Sequence, residues 1–440
     1  MKKVLVSKLH PGQAEVYRVI TSPNPPKFNV LACGARWGKD RLCISILLHL
    51  ATRLAYLEKA RRIRECLIPR VLCWYVAPSY GLLRQAWDEM KIFARSIPGV
   101  KFNNSELRVF FPGDVQIEFK SADNPGSLLA RGLDVVVCTE AARMKREAWE
   151  NAIMTRLSSP GRGTGGKGGI AILNSTPNGK NWFYELYKSA LADTTGYYRA
   201  WHFTSYDNPG VNSDIIDAQR LRVPDRVYRQ EYLAEFIESG GSVFRRVLDS
   251  LVEYKFPYQT LGTTFIGIDW GRYNDRTIAV AIEPINGKYR LADFLFLDKV
   301  PYEGQIKAIA RFCKNFPSCR VIAEANSLGD PLIAQLRSAI GRKVTPFTTT
   351  HTMKKLVVEN ASTLMEQGLI ELPGKLEHGY LNSQVKILTD ELSEFEVKIS
   401  SAGVASYGAP IGQHDDSVMA FCIALNGGFT RSINGRLEMV

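Results

Sequence analysis

In the first half of the chain, dense apolar runs alternate with segments of helical periodicity. "KFNVLACGAR" reads as a strand opening into a loop, and "DRLCISILLHLATRLAYLEKARR" as a long helix behind it. "VLCWYVAP", "LDVVVCTE" and "GIAILNSTP" are short apolar runs of the kind found in strands buried on both faces, and "YGLLRQAWDEMKIFARS" is a helix between two of them. That alternation predicts a mainly parallel sheet covered by helices on both sides. "ELRVFFPGDVQIEFKSA" predicts a hairpin turning at Pro112-Gly113. "PGRGTGGKGG", residues 160–169, is too rich in glycine for a regular element and reads as a loop.

A different pattern follows. Residues 207–246 are polar and mostly helical in periodicity, and a Gly-Gly pair near their end marks a boundary. Beyond it, "TTFIGIDWG" and "TIAVAIEPINGKYRLADFLFLDK" predict antiparallel strands, the latter turning at Asn286-Gly287. "VIAEA" is a later strand, and "DDSVMAFCIALNGG" a helix ended by glycines. The expectation is an α/β chain: a first domain over 1–206, a helical connector over 207–246, a second α/β or α+β domain over 247–428, and a loose tail over 429–440.

Composition narrows the partners. The 440 residues carry 56 Lys+Arg against 44 Asp+Glu, a net charge of +12 that favours a polyanion such as nucleic acid. No run approaches about 18 apolar residues, so no membrane span is expected. The start, "MKKVLVSKLHPGQ", lacks the apolar core of a secretory signal. Eight cysteines without a CxxC spacing point to reduced, buried thiols.

Two sets of residues carry chemistry. In "CGARWGKDR", Gly34, Gly38 and Lys39 stand as in a phosphate-binding loop between strand and helix. Glycines let backbone N–H groups curl around phosphates, and the lysine adds a point charge. A glycine-rich turn that only caps the helix is the alternative. The position after the lysine, where a Ser or Thr hydroxyl would hold magnesium, is Asp40. The second half of such a site is an apolar strand ending in Asp-Glu; here Glu140 is present, but Thr139 takes the Asp position. Carboxylate and hydroxyl have changed places. The two ends are expected to be neighbours in the sheet, so that the exchange keeps one of each beside the ion; two independent losses are the other explanation. In the second half, Asp269 ends one apolar strand, Glu324 ends another, and Asp415 and Asp416 open a helix. Acids far apart in sequence, each at the end of an element, are what a magnesium or manganese site needs. Taken singly, Asp415 or Asp416 reads as a helix N-cap.

With these motifs in this order, the chain resembles the large terminase subunit of tailed bacteriophages over roughly residues 8–426. "HPGQAEVY", "YVAPSYGLLRQAW", "SADNPGSLLARGLDVVVCTEAA", "NSTPNGKNWFYELY" and "RQEYLAEF" each resemble a segment of that family. The resemblance implies an N-terminal P-loop NTPase of the ASCE type and a C-terminal ribonuclease-H-like nuclease with a mixed sheet. It implies that Gln13 reads the base, that Ser175 and Thr176 sense the γ-phosphate, and that Arg131 stabilises phosphate charge. It makes Asp269, Glu324 and one or both of Asp415 and Asp416 metal ligands, with Asp275 accessory and His414 a neighbour. Lys354 and Lys355 would meet the DNA backbone. Many members place an arginine four residues before the loop lysine; here that position is Ala35, and Arg36 follows it. The implied activity is ATP-driven packaging of double-stranded DNA, with endonucleolytic cutting of concatemers. The implied cofactors are ATP and Mg²⁺, with Mn²⁺ also supporting the nuclease. The implied partners are a portal protein, a small terminase subunit and further copies in a pentameric ring, with a monomer in solution as the alternative. The setting would be the host cytoplasm and transiently the procapsid portal, not the mature virion. A helicase-like ATPase fused to a resolvase-like nuclease, or a nuclease with a degraded nucleotide site, are the competing functions.

Overall fold

The computed structural model describes residues 8–57, 71–129, 132–158, 168–238, 241–271, 276–325, 329–341, 344–374, 382–399, 405–427, 429–431 and 437–439. Its chain divides into two compact units. The first comprises the described parts of Met1–Asp217 together with Arg226–Ser239; the second takes in Ala218–Asp225 and most of the chain from Gly240 onward. The polar connector is therefore shared between the two units.

The first unit opens with helix α1 (Pro11–Ile20) and strand β1 (Phe28–Cys33), followed by α2 (Lys39–Leu57). Then come β2 (Val71–Ala77), α3 (Tyr80–Ala94), β3 (Lys101–Asn103), β4 (Arg108–Phe111), β5 (Val115–Ser121), β6 (Val135–Thr139) and β7 (Ile170–Ser175). Helix α4 (Trp182–Ala192), strand β8 (Tyr198–Phe203), and helices α5 (Ser213–Arg220) and α6 (Asp225–Glu231) complete the series. The sheet runs β3-β4-β5-β2-β6-β7-β1-β8. All pairings from β5 to β8 are parallel, and the antiparallel β3–β4–β5 edge includes the predicted hairpin at Pro112-Gly113. Every residue of β1, β2, β6 and β7 is buried, as a sheet covered on both faces requires.

The second unit is built on β9 (Leu251–Val252), β10 (Thr264–Asp269), β11 (Arg276–Ile285), β12 (Lys288–Asp298), β13 (Cys319–Glu324), β14 (Val344–Phe347) and β15 (Ile370–Pro373). Helices α7 (Tyr302–Cys313), α8 (Gly329–Ile340), α9 (His351–Glu366), α10 (Ser383–Glu394) and α11 (Asp416–Gly427) accompany it, and β16 (Glu396–Ile399) pairs with β17 (Ala405–Gly408). Its sheet order is β14-β13-β10-β11-β12-β15-β9. It is mixed: β10–β11–β12 is an antiparallel meander, while β13 and β14 run parallel to β10. At Asn286-Gly287 both residues have positive φ, 50° and 77°, the primed turn that suits the twist of a two-residue hairpin.

Helix α11 is apolar all round, and Ser417 to Leu425 are all buried. Such a helix belongs inside a core, and here it packs against β10 and β11. Gly267, two residues before Asp269, makes that approach close. A side chain there would collide with the backbone of α11 at Ala420 O and Ala424 N, which cannot move as a side chain could. This contact brings the start of α11 to the end of β10. Gly267→Ala is therefore expected to cost about 3 kcal/mol in urea unfolding, at the upper end of the usual overpacking range. A loss below about 0.5 kcal/mol would contradict the packing.

Candidate functional site

The loop after β1 is strapped from outside. Gly34 N–H donates to Phe203 O at 2.8 Å, and Ala35 N–H to Glu231 O at 2.6 Å. A Cβ on Gly34 would lie 2.6 Å from both Ser205 N and Tyr232 O, so only glycine fits. Gly38 has φ +93° and Arg36, exposed, φ 61°. Trp37, fully buried, stacks on Phe203 with ring centroids 4.4 Å apart.

Lys39 opens α2, and its side chain is almost wholly enclosed. Its ammonium lies 2.9 Å from Glu140 Oε1 and donates to Thr176 Oγ1 at 3.2 Å. Burial alone would lower its pKa, but Glu140 and then Asp40 outweigh it and hold it above the usual lysine range. Glu140 follows β6 with φ 47°, a strained left-handed conformation for a residue with a side chain. Its second oxygen lies 3.4 Å from Ser175 Oγ and 3.8 Å from Arg143 Nε.

Asp40 and Thr139 meet. Thr139 Oγ1 donates to Asp40 Oδ1 at 2.5 Å, and Asn174 Oδ1 lies 3.2 Å from the same hydroxyl. Burial raises the Asp40 carboxyl pKa, and Lys39 and the Thr139 hydrogen bond only partly offset that. One detail of the expectation is corrected. The ends of β1 and β6 are not neighbours, because β7 lies between them. Asp40 reaches Thr139 from the first turn of α2, and β7 contributes Asn174 to the gap.

Gln13 touches the loop and caps its own helix. His10 N–H donates to Gln13 Oε1 in a capping box, and Gln13 Nε2 donates to Gly38 O at 2.9 Å. The His-x-x-Gln spacing before an amphipathic helix is the signal that shows this role. Arg143, which bridges Glu140 and Glu231 at 3.8 Å each, was not among the expected residues. Arg131 lies outside the described residues, as does all but the end of the glycine-rich segment.

In the second unit, Asp269 and Glu324 end parallel neighbours. The last registered pair of β10 and β13 is Ile268–Ala323, so the two acids come next and side by side. Asp269 is hydrogen-bonded to Glu324. Its carboxyl is pushed well above the usual range, first by the protein packed around it, then by Glu324 and the charges of Asp416 and Asp415. Asp415 Oδ2 is 2.9 Å from Lys354 Nζ, and Asp416 Oδ2 is 3.4 Å from His414 Nδ1. Among the described residues, no three acid, histidine or cysteine side chains are gathered closely enough to hold an ion as they stand. Four acids nevertheless share one electrostatic neighbourhood. They offer hard oxygen donors around a carboxyl that resists ionisation, a donor set that fits a divalent cation. Asp275 lies outside the described residues.

The first turn of α11 is served by a side chain from another element. Glu391, from α10, accepts from Ser417 N at 3.0 Å and from the Ser417 hydroxyl, and its other oxygen is 3.5 Å from Arg276 Nη1. Nothing in the sequence singles Glu391 out. Lys354 points to Asp415, whereas Lys355 is exposed.

Comparison with known proteins fits this geometry. The family model "Terminase large subunit, T4likevirus-type, N-terminal" matches residues 54–248, beginning after the loop at Gly34–Lys39. "Terminase RNaseH-like domain" matches residues 266–427, which include Asp269, Glu324, Asp415 and Asp416. The chain belongs to the large terminase family. Among its relatives, the large subunit of the terminase of Thermus phage G20c is 28% identical over 334 residues, 69% of this chain and 64% of that protein, just under two thirds of its length. The large subunit from Thermus virus P23-45 is 26% identical over 400 residues, 80% and 77% of the two chains. A large terminase of a thermophilic bacteriophage, known from its crystal structure, shares the fold: TM-score 0.55 at 16% identity, over 96% of this chain and 99% of that one. That protein has also been solved in complex with ATP-γ-S. The family's two domains, a mostly parallel N-terminal sheet and a mixed ribonuclease-H-like sheet, are thus both present in this chain.

Glu391→Ala would strand the N–H and hydroxyl of Ser417, which is fully buried. A loss of about 1–3 kcal/mol in chemical unfolding is expected. Unchanged stability would mean that α11 is capped by another group.

Proposed function

We propose that this large terminase is the motor and nuclease of DNA packaging. Its first unit hydrolyses ATP to move double-stranded DNA into a procapsid, and its second cuts concatemeric DNA. The proposal rests on one observation above all: a single chain carries the Lys39–Glu140 pair at the end of a parallel sheet and the Asp269–Glu324 pair at the end of a mixed one. The ATP-γ-S complex of the thermophilic-phage terminase supports nucleotide as the ligand of the first site. The +12 net charge suits a partner gripped through its phosphates, with affinity that falls as salt rises.

In the motor, Lys39 exchanges Glu140 for the β- and γ-phosphates. Glu140, released, accepts the proton of the attacking water. Ser175 and Thr176, which touch Glu140 and Lys39, report the presence of the γ-phosphate to β7. Asp40 supplies the carboxylate and Thr139 the hydroxyl of an exchanged ion-binding pair. In the nuclease, Asp269, Glu324, Asp416 and Asp415 face the scissile phosphate. Bound Mg²⁺, or Mn²⁺ in the nuclease, would supply the positive charge that activates water and stabilises the leaving oxygen in both hydrolyses. Residues 1–206 form the ATPase domain, 207–246 the connector, 247–428 the nuclease and 429–440 a tail. A ring of copies, docked on a portal protein with a small subunit in the host cytoplasm, is the assembly in which it works.

Two experiments test this. Lys39→Ala should abolish ATP hydrolysis and spare plasmid cleavage, while Asp269→Asn should lower cleavage at least ~100-fold and spare hydrolysis. Cleavage at the wild-type rate by folded Asp269→Asn would overturn the nuclease assignment. For the exchanged pair, Asp40→Ser and Thr139→Asp should each impair hydrolysis, and the double variant should recover with a coupling of about 1–3 kcal/mol. A double variant no better than the worse single would mean that the site has decayed.

A further inference from the structure

Arg143 stands at the edge of the first site and has no part in the mechanism above. It ends the tight turn that follows Glu140, which is closed by Arg143 N–H donating to Glu140 O at 2.9 Å. Its guanidinium lies between two carboxylates: Nε is 3.8 Å from Glu140 Oε2, and Nη2 is 3.8 Å from Glu231 Oε1. At that distance neither contact is a hydrogen bond, so the cation is shared, and a movement of about 1 Å would give either acid a full one. The arginine side chain is half-exposed, and ion pairs of that kind add little to stability, so the fold itself does not call for this one. Glu231 belongs to the frame of the loop. Its carbonyl accepts from Ala35 N at 2.6 Å, and the carbonyl of Tyr232 accepts from Ser205 N at 2.7 Å. Burial raises the pKa of the Glu231 carboxyl, and Arg143 is the nearest charge that opposes this. A closed circuit results, from the loop to Glu231, to Arg143, to Glu140, to Lys39 and back to the loop.

We infer that Arg143 is a positioning residue for hydrolysis: anchored by Glu231, it takes over Glu140 when Lys39 turns to the phosphates and holds the carboxylate toward the attacking water. The inference rests on the motor assignment above. Among the described residues, Lys39 and Arg143 are the cations paired with Glu140, and they reach different oxygens, Oε1 and Oε2. Once Lys39 is drawn to phosphate, Glu140 loses its closer cation and faces a group of its own charge. Like charges a few ångströms apart repel, and a free carboxylate would swing away from the γ-phosphate. Arg143 offsets that repulsion on the oxygen Lys39 does not use. Its planar fork suits the task, because it can hold one carboxylate while a second steadies it from behind. Glu231 is that second carboxylate, and its backbone is tied to the same loop that receives the phosphates. The position of Glu140 is thereby referred to the loop even after Lys39 has let go.

The test is ATP hydrolysis by the full chain, with kcat and KM separated and ADP affinity measured alongside. Arg143→Ala should lower kcat about 100-fold, as misplacing a reacting group does, while KM and ADP affinity stay at the wild-type values. Arg143→Lys, which keeps the charge, should restore part of the loss. Glu231→Gln should lower kcat about 10-fold alone and add nothing to Arg143→Ala, because the two act through one contact. Wild-type kcat in Arg143→Ala, a loss that falls on KM and ADP affinity instead, or a Glu231→Gln effect that adds in full to that of Arg143→Ala would overturn the inference. Lys39→Ala separates this from the larger reading. If Lys39→Ala is inactive while Arg143→Ala hydrolyses ATP as wild type does, the inference alone falls; if Lys39→Ala hydrolyses at the wild-type rate, the motor assignment falls and the inference with it.

Discussion

Two carboxyl groups that would repel each other if both were ionised are held side by side at the ends of β10 and β13, and the second unit is organised around that enforced approach. The parallel register leaves no choice, since Asp269 and Glu324 follow the pair Ile268–Ala323. Gly267 then lets α11 close on β10, which brings Asp415 and Asp416 into the same field. A fold gains nothing in stability from crowding acids; sites that do so serve a cation or a proton. The neighbouring groups distribute the resulting tension: Asp269 resists ionisation, Asp415 is balanced by Lys354, and Glu391 takes over the capping that an aspartate would otherwise perform.

The first unit handles charge in the opposite way, through a buried cation. Lys39 is kept charged by Glu140 and Asp40, and Thr139 steadies Asp40 through its hydroxyl. Asp40 and Thr139, which both depart from the common phosphate-loop pattern, thus touch each other. That contact is what the proposed exchange of roles requires. The straps from Phe203, Ser205 and Glu231 fix the loop backbone, while a strained Glu140 backbone presents its carboxylate to the lysine.

Much of this was legible in the sequence. The fully buried strands β1, β2, β6 and β7 announce themselves as uninterrupted apolar runs, and the hairpins turn where Pro-Gly and Asn-Gly dipeptides stand. The site acids stand out because they end such runs. Strand order was not legible: local pattern does not say that β7 lies between β1 and β6. Glu391 and Lys354 look like solvent-facing residues of amphipathic helices, and only tertiary packing turns them toward Ser417 and Asp415. Gln13 carried a capping signal beside the base-reading role implied by resemblance, and the cap is formed.

The most direct measurement is anomalous diffraction from crystals soaked in manganese. The account predicts a peak bounded by the carboxylates of Asp269, Glu324 and Asp416. Manganese bound elsewhere, with these three side chains still hydrogen-bonded among protein groups, would contradict it.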